Sequence, residues 1–266
     1  MELLGYLASV LIGISLGLIG GGGSILTVPV LVYLLKVEPV PATAYSLFIV
    51  GLTAAVGSIT YFRQGLVNVR TALVFGIPSI AAVFATRAWL MPAIPKEIVS
   101  IGSFVLTKNL LTMVVFSVLM VAASYSMIKK DAPKNTGEPS GPQKFNYPLI
   151  LLEGTIVGAL TGFVGAGGGF LIIPALVVLS RLPMKEAVGT SLVIIAAKSL
   201  IGFTGESNLG GMDWTLISLV SAFALAGIFL GSFLARKIDG KKLKPAFGWF
   251  VLIMGIYILL KETIGF

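Results

Sequence analysis

The sequence contains no cysteine and no histidine, and only 11% of its 266 residues are charged. These absences exclude disulfides and thiol chemistry, and they remove the usual ligands of zinc and haem. A phosphate-binding G-x-x-x-x-G-K-[ST] loop is also missing. An enzyme working inside a membrane would need paired carboxylates, a metal cluster or a serine with a neighbouring base. We therefore expect no metal, no cofactor and no enzymatic activity.

Long apolar runs make up most of the chain, which is 56% hydrophobic and has a mean hydropathy of +1.01. The runs are repeated and nearly free of charge, which predicts many helices within a lipid bilayer. The net charge of +8 comes from basic residues in short loops between the runs. Basic loops of this kind are typical of membrane orientation and not of a folded basic face, so we expect no nucleic-acid partner.

The apolar runs predict ten helical segments, because backbone groups in lipid must bond within their own segment. The segments cover 3–19, 24–35, 41–62, 68–90, 104–128, 146–164, 170–180, 184–204, 213–235 and 243–262. Segments 24–35 and 170–180 are shorter than the roughly 20 residues that a crossing helix needs. Each is therefore predicted to be a half-helix or the returning arm of a re-entrant hairpin.

The two halves of the chain are copies of one another. A polar, Pro-rich linker at 129–145 separates a first repeat, 1–128, from a second, 146–266. A gapless shift of 145 positions superposes the halves over about fifty residues, which indicates an internal duplication. The matches include Gly17 and Gly162, Gly20 and Gly165, Gly22 and Gly167, Pro29 and Pro174, Ser46 and Ser191, and Gly65 and Gly210.

The basic residues predict which side of the membrane each loop faces. If the chain reverses side at every segment, one side receives thirteen basic residues and the other receives five. The richer side holds Arg63, Arg70, Lys129, Lys130, Lys134, Lys144, Arg181, Lys185, Arg236, Lys237, Lys241, Lys242 and Lys244, and the poorer side holds Lys36, Arg87, Lys96, Lys108 and Lys261. The richer side is predicted to be cytoplasmic. The linker is then cytoplasmic, and both termini lie outside.

The odd number of segments in each half makes the second copy enter the membrane from the opposite face. The predicted fold class is an all-α polytopic membrane protein built from two inverted repeats of about five helical segments each. Glycine-broken half-helices or re-entrant hairpins from the two repeats are predicted to meet near the membrane midplane.

Each repeat contains a glycine cluster that breaks an apolar segment, where a helix interior does not readily tolerate glycine. At such a break the next helix begins inside the membrane, and its free N–H groups favour an anion. The clusters are predicted to bind substrate through Gly20, Gly21, Gly22, Gly23 and Ser24 in the first repeat and Gly165, Gly167, Gly168 and Gly169 in the second. The alternative is that the glycines only allow close helix packing, as is expected for the isolated G-x-x-x-G pairs.

Four further side chains are predicted to contribute to the site. Lys198 lies in the apolar run Leu192–Phe203, where an ionisable residue is costly and usually functional. The alternative is that Lys198 extends its ammonium to the membrane surface, since the helix is predicted to end near Glu206. Ser46, Thr190 and Ser191 occupy matching positions one helix after each break. Their hydroxyls could donate to an oxyanion or bond back to their own helix carbonyls.

Other polar residues have more ordinary predicted roles. Asn68 and Asp213 are matching residues at helix starts, where N-capping is expected. Arg87 is predicted near the outer end of its helix, where it could attract anions to that mouth. Glu153 could carry a coupling proton, although an interfacial, solvated glutamate is the more ordinary interpretation.

The motifs GLIGGGGSILTVPVL, GFVGAGGGFLIIPAL and AVGTSL resemble those of the TauE/SafE family of prokaryotic sulfite and organosulfonate permeases. The resemblance covers nearly the whole chain. It implies a permease of the prokaryotic inner membrane for sulfite, organosulfonates or related anions. The first half departs from the pattern at Tyr45, where the second half has Thr190, and this ring is expected to narrow or reshape a pocket.

A secondary anion transporter is the leading functional prediction, with the repeats rocking about a midplane site and a proton or other ion as the coupling partner. A passive anion channel and a permease for a different organic anion are the alternatives. An assembly subunit would not need two glycine-broken segments. Changing Gly22 or Gly168 to valine distinguishes a transporter from an assembly subunit, because in a transporter the flux should vanish while membrane insertion persists.

Overall fold

The computed structural model describes residues 2–21, 23–101, 104–128, 147–178, 182–206, 209–235 and 240–264. The predicted linker 129–145 and Gly22 lie outside these residues. The described helices are α1 (Glu2–Ile19), α2 (Ser24–Pro29), α3 (Pro39–Arg63), α4 (Val69–Ala85), α5 (Met91–Ala93), α6 (Lys108–Ile128), α7 (Tyr147–Val164), α8 (Gly169–Val178), α9 (Met184–Thr204), α10 (Trp214–Ala235) and α11 (Gly240–Ile264). A π-helical turn, Val30–Leu34, extends α2, and a second, Thr86–Leu90, joins α4 to α5.

Every predicted segment contains a helix, and most ends agree within two residues. Five helical stretches in the described part of the chain are long and apolar enough to cross a membrane: Pro39–Arg63, Val69–Ala93, Lys108–Tyr125, Met184–Thr204 and Trp214–Ala235. The two segments predicted to be short are short, since α8 has ten residues and α2 has six before its π-helical turn. The chain is therefore a mostly helical, multi-pass membrane protein.

One predicted boundary is wrong, because the segment expected to be helical from residue 104 begins as a strand. Strand β1 (Glu97–Ile101) pairs antiparallel with β2 (Phe104–Thr107), and α6 begins only at Lys108. The sequence EIVSIGSFVLT is rich in β-branched residues on either side of a Gly-Ser pair. That composition favours a hairpin. The Lys108 N–H donates to the Lys96 carbonyl at 2.9 Å, which ties the start of α6 to the start of the hairpin.

Glycines allow two pairs of helices to pack closely. Helix α1 packs against α10, and α7 packs against α4. A Cβ added to Gly13 would lie 1.9 Å from the Ala224 carbonyl oxygen, and one added to Gly158 would lie 2.5 Å from the Ser79 carbonyl oxygen. No side chain fits at either position. The prediction that the isolated G-x-x-x-G pairs serve packing is confirmed for both interfaces.

The 145-residue correspondence extends to backbone geometry. Gly20 and Gly165 both adopt left-handed φ values, +78° and +73°. Each donates its N–H to a carbonyl four residues earlier at 2.8 Å, Leu16 for the first and Thr161 for the second. Both α1 and α7 thus end in the same way, with a glycine that turns the chain out of the helix. Only glycine adopts this conformation without strain.

The helix caps at Asn68 and Asp213 are also equivalent, and they confirm the predicted N-capping. The Asn68 side chain accepts from the Thr71 N–H at 3.0 Å. The Asp213 carboxylate accepts from the Leu216 N–H, three residues further on, at 2.9 Å. Each side-chain oxygen satisfies one donor that would otherwise lack a partner at the helix start.

The backbone N–H of each capping residue is bound by the opposite half of the chain. The Asn68 N–H donates to the Thr190 hydroxyl at 2.9 Å, and the Asp213 N–H donates to the Tyr45 hydroxyl at 2.8 Å. Tyr45 is buried in an apolar cluster with Leu31 and residues of α10. The structure therefore gives Tyr45 a packing and hydrogen-bonding role, and the expectation that its ring shapes a substrate pocket stays a prediction. Tyr45 and Thr190 are different side chains that make the same bond at corresponding places.

Removing either hydroxyl should loosen one helix start and leave the other intact. We expect Thr190→Val and Tyr45→Phe each to lower the free energy of unfolding by about 1 kcal/mol, since each leaves a partly buried N–H without its acceptor. Amide hydrogen exchange should accelerate at Asn68 in the first variant and at Asp213 in the second. Thr204→Val is the control, because that exposed hydroxyl bonds only to the Ile201 carbonyl of its own helix. Unchanged exchange at both amides would contradict the assignment.

Candidate functional site

The two glycine breaks, about 145 positions apart in the chain, contact each other directly. A Cβ added to Gly21 would lie 2.2 Å from the Gly169 carbonyl carbon, and one added to Gly169 would lie 2.2 Å from the Gly21 Cα. A Cβ on Gly167 would lie 3.3 Å from the Ser24 Cβ. The backbones therefore pack against one another where the breaks meet. Ser24 helps to close the first break, since its hydroxyl donates to the Gly21 carbonyl at 2.8 Å.

Each break also packs on the third helix of the opposite half. A Cβ on Gly20 would lie 2.7 Å from Val188 Cγ1 and 3.2 Å from the Ser191 hydroxyl on α9. A Cβ on Gly165 would lie 2.2 Å from the carbonyl oxygen of Thr43 on α3. Thr43 corresponds to Val188 in the 145-residue register, so the two contacts are equivalent. Each break therefore contacts the third helix of the opposite half, α9 for the first break and α3 for the second.

The predicted hydroxyl ligands differ in what they bond. The Ser191 hydroxyl donates to the Val188 carbonyl of its own helix at 2.8 Å, which is the alternative role considered for it. Thr190 accepts from the Asn68 N–H, as described above. The Ser46 hydroxyl is fully buried and has no hydrogen-bond partner among the described residues. Of the three, Ser46 keeps both its donor and its acceptor for a ligand.

Lys198 lies against the second break and is fully buried, so its side chain does not snorkel to the surface. Its ammonium donates to the Thr161 hydroxyl at 3.0 Å. A Cβ on Gly168 would lie 2.6 Å from Lys198 Nζ, which places the ammonium beside that glycine. No carboxylate pairs with it within the described ranges. A buried ammonium without an opposite charge is costly unless something else compensates it.

The start of α8 lies beside this ammonium. Gly165, Gly167 and Gly168 all adopt left-handed φ values, and α8 begins at Gly169. The N–H group of Gly169 has no backbone acceptor in the part of the chain that the structure describes. Free N–H groups at a helix start carry the positive end of the helix dipole. The second break therefore combines a formal positive charge with positive backbone groups.

The first break lacks this charge. Thr53 occupies the position that corresponds to Lys198, and its hydroxyl bonds to the Ile49 carbonyl at 2.6 Å. Leu16 corresponds to Thr161. A Cβ on Gly23 would lie 2.3 Å from the Ile12 carbonyl oxygen, so this glycine packs directly on α1. Both breaks begin with a left-handed glycine, Gly20 or Gly165, but Gly23 has a φ of −67° where Gly168 has +71°. Among the described residues, only the second break has a cationic side chain beside it.

Three buried hydroxyl groups were not predicted as site residues. Thr161 is the partner of Lys198, and the signal for it was a polar residue where the first half has leucine. Thr27 on α2 and Ser199 next to Lys198 have buried hydroxyl oxygens with no partner among the described residues. Unpartnered buried hydroxyls are uncommon and call for an explanation.

Arg87 is placed differently from its prediction, and Glu153 is consistent with both of its predicted roles. Arg87 is fully buried and does not line an open mouth. Its guanidinium Nη1 lies 3.3 Å from Glu206 Oε2. Glu153 is partly exposed, with one carboxylate oxygen buried and unpartnered within the described ranges. This geometry fits a proton-carrying and an interfacial glutamate equally well.

An apolar cavity of about 160 Å³ lies elsewhere, between the end of α3, α4 and α9. Its lining is Phe62, Val67, Val69, Ala72, Leu73, Gly76, Ile77, Ile80, Val193, Ile194 and Ala197. None of these side chains is polar or charged, so the cavity does not suit an anion. The anion-site hypothesis therefore depends on the second break.

Comparison with known proteins gives a consistent result over nearly the full length. The family model described as "Sulfite exporter TauE/SafE" matches residues 5–258. A "Probable membrane transporter protein" of Xylella fastidiosa strain 9a5c is 30% identical, with 95% of this chain and 92% of the relative covered. The "Probable membrane transporter protein YunE" of Bacillus subtilis is 26% identical, with 91% and 89% covered. No solved structure matches the chain significantly.

Proposed function

Because the chain belongs to the sulfite exporter TauE/SafE family and is a membrane transporter and not an enzyme, we propose that it is a secondary transporter of small sulfur-containing oxyanions. Sulfite and organosulfonates are the proposed substrates, and the second glycine break is the proposed binding site. The TauE/SafE family name suggests sulfite. The names of the relatives describe only probable membrane transporters.

The observation that carries this proposal is the buried Lys198 ammonium with no carboxylate partner among the described residues. A bound oxyanion would supply the missing negative charge. Its oxygens would accept from Lys198 and from the free Gly169 N–H at the start of α8, as anions do at helix N-termini. The Ser46 hydroxyl is a further candidate donor, since it is buried and unpartnered within the described ranges.

Pseudo-symmetric packing supports an inverted-repeat transporter. In the 145-residue register, α1 corresponds to α7 and α4 corresponds to α10. Exchanging the halves therefore converts the α1–α10 interface into the α7–α4 interface, and both pairs are in contact. The proposed mechanism is alternating access, in which the two repeats move against each other around the contact between Gly21 and Gly169.

Contacts between residues near the helix ends support the proposal that successive loops lie on alternate sides of the membrane. Arg87 and Glu206 form an ion pair, and the Tyr33 hydroxyl donates to Glu262 at 2.9 Å. All four residues are predicted on the poorer, outer side. Asn68 and Thr190, which also bond to each other, are both predicted on the cytoplasmic side. We therefore retain the proposal of a cytoplasmic linker and outer termini in a prokaryotic inner membrane.

Flux measurements on purified protein in proteoliposomes test the proposal. We expect saturable sulfite uptake, counterflow against preloaded unlabelled sulfite, and a change in rate when a pH gradient is imposed, if a proton is the coupling ion. Large ohmic currents without counterflow would support a passive channel instead. Sulfate, thiosulfate and ethanesulfonate should be compared with sulfite in the same assay. If none of them is transported but a carboxylate is, a different organic anion is the substrate.

A further inference from the structure

A second buried cation lies apart from the glycine breaks. Arg87 is part of the π-helical turn Thr86–Leu90 and is fully buried. It contacts Glu206, just beyond the end of α9, through Nη1 at 3.3 Å. Glu206 is eight positions after Lys198, which corresponds to about 12 Å along a helix axis. The two cations contact different residues, because Lys198 donates to Thr161 on α7 and Arg87 contacts Glu206.

The contact with Glu206 uses only part of the guanidinium. Arg87 Nε and Nη2 are buried and have no hydrogen-bond partner among the described residues. These two nitrogens lie on one edge of the planar group, and their N–H bonds point in nearly the same direction. This edge binds two oxygens of a carboxylate, phosphate or similar oxyanion in parallel. Leaving such donors buried and unpaired is costly.

The charges around Arg87 also favour an anion. Lys108 is close enough to interact electrostatically with both Arg87 and Glu206. Its ammonium donates to the Met91 carbonyl oxygen and makes no ion pair with the residues that the structure describes. Two cations thus surround one carboxylate, and Glu206 occupies only one edge of the guanidinium. The group retains a net positive charge and a free edge.

We propose that the free Nε and Nη2 edge of Arg87 is a second anion subsite, distinct from the site at Lys198, that binds two oxygens of a small oxyanion. The sulfite or sulfonate identity of that anion rests on the proposed function, but the subsite itself rests on the guanidinium geometry. Arg87, Lys108 and Glu206 are all predicted on the outer side. On this predicted topology the subsite is nearer the outer surface than Lys198 is.

Equilibrium titration of the purified, detergent-solubilised full chain with sulfite tests the subsite. Wild type should show two equivalents of tight binding, Lys198→Met and Arg87→Lys one each, and the double variant none. Arg87→Lys is the informative change, because lysine keeps the charge and the Glu206 contact but has no two-donor edge. We expect it to weaken the remaining site in the Lys198→Met background by about tenfold or more.

Glu206→Gln keeps Arg87 in place and removes the competing negative charge, so it should tighten sulfite binding at this subsite. A purely structural ion pair would instead give weaker or unchanged binding. Unaltered stoichiometry and affinity in Arg87→Lys, or no binding of sulfite, sulfate or ethanesulfonate to Lys198→Met, would overturn the subsite. If Lys198→Met leaves both stoichiometry and flux unchanged while Arg87→Lys loses one equivalent, the subsite stands and the proposed binding site at Lys198 fails. If Arg87→Lys loses one equivalent but the wild type shows no saturable sulfite flux, the subsite stands and the proposed function fails.

Discussion

Lys198→Met should abolish saturable anion flux and at the same time make the protein more stable in anion-free buffer. The ammonium is fully buried, bonds only to the Thr161 hydroxyl and has no carboxylate partner within the described ranges. Methionine has a similar length and no charge, so it removes the cost of the buried ion. We expect a gain in the free energy of unfolding on the order of 1 kcal/mol or more.

The loss of flux should be large because the anion would lose its only formal counter-charge at the second break. We expect a fall of about a hundredfold or more in transport at low substrate concentration, since a buried charged hydrogen bond contributes several kcal/mol to binding. Proteoliposome flux and thermal unfolding, measured on the same preparation, give the two results together. A loss of function through misfolding would lower stability, whereas the expected variant is more stable and inactive.

Two further variants make this result specific. Lys185→Met removes an exposed lysine at the start of the same helix, α9, and should change neither quantity appreciably. Thr161→Val keeps the Lys198 charge but removes its hydroxyl partner, and it should lower both stability and transport. If Lys198→Met transported sulfite at the wild-type rate, the anion site at the second break would be wrong.

The sequence was sufficient to predict the helices and the glycine breaks because these features are local. The apolar runs set helix length, and the glycines at Gly20 and Gly165 end α1 and α7 with left-handed φ values. The caps at Asn68 and Asp213 were predictable for the same reason, since each bonds to an N–H three residues later. The β1–β2 hairpin was missed because its β-branched residues are also common in membrane helices.

Apart from the contact between the two glycine breaks, contacts between distant segments could not be predicted. Membrane helices are apolar on all faces, so their sequence periodicity does not indicate which face is buried. The burial of Arg87 against Glu206 therefore had no sequence signal. Thr161 had only the signal of a polar residue where the first half has leucine, which did not indicate that it contacts Lys198. The exchange of Tyr45 for Thr190 had a sequence signal, but the hydrogen bonds that these two side chains make were not predicted. Substitution at corresponding positions indicated a changed pocket, while the structure shows two different side chains that make the same hydrogen bond.

The contact between the breaks gives the second large prediction, which concerns Gly21→Ala and Gly169→Ala. Neither glycine has a left-handed φ, so the added methyl group acts only through its contacts. In both variants the new Cβ would lie 2.2 Å from backbone of the other break, which cannot rotate away as a side chain can. We expect each change to lower the free energy of unfolding by about 3 kcal/mol and to remove flux. Gly210→Ala is the control, because no atom lies within 4 Å of its added Cβ.

The double variant Gly21→Ala/Gly169→Ala distinguishes a shared contact from two unrelated defects. If the two methyl groups compete for one space, the first already forces the breaks apart, and the second then adds less than its single-variant cost. The sum of the separate losses would be expected only if each glycine acted on its own surroundings. Thermal unfolding of the four proteins gives this coupling free energy. Additive losses would mean that the two methyl groups do not compete for one space. Wild-type flux in either single variant would mean that transport does not need the contact between the two breaks.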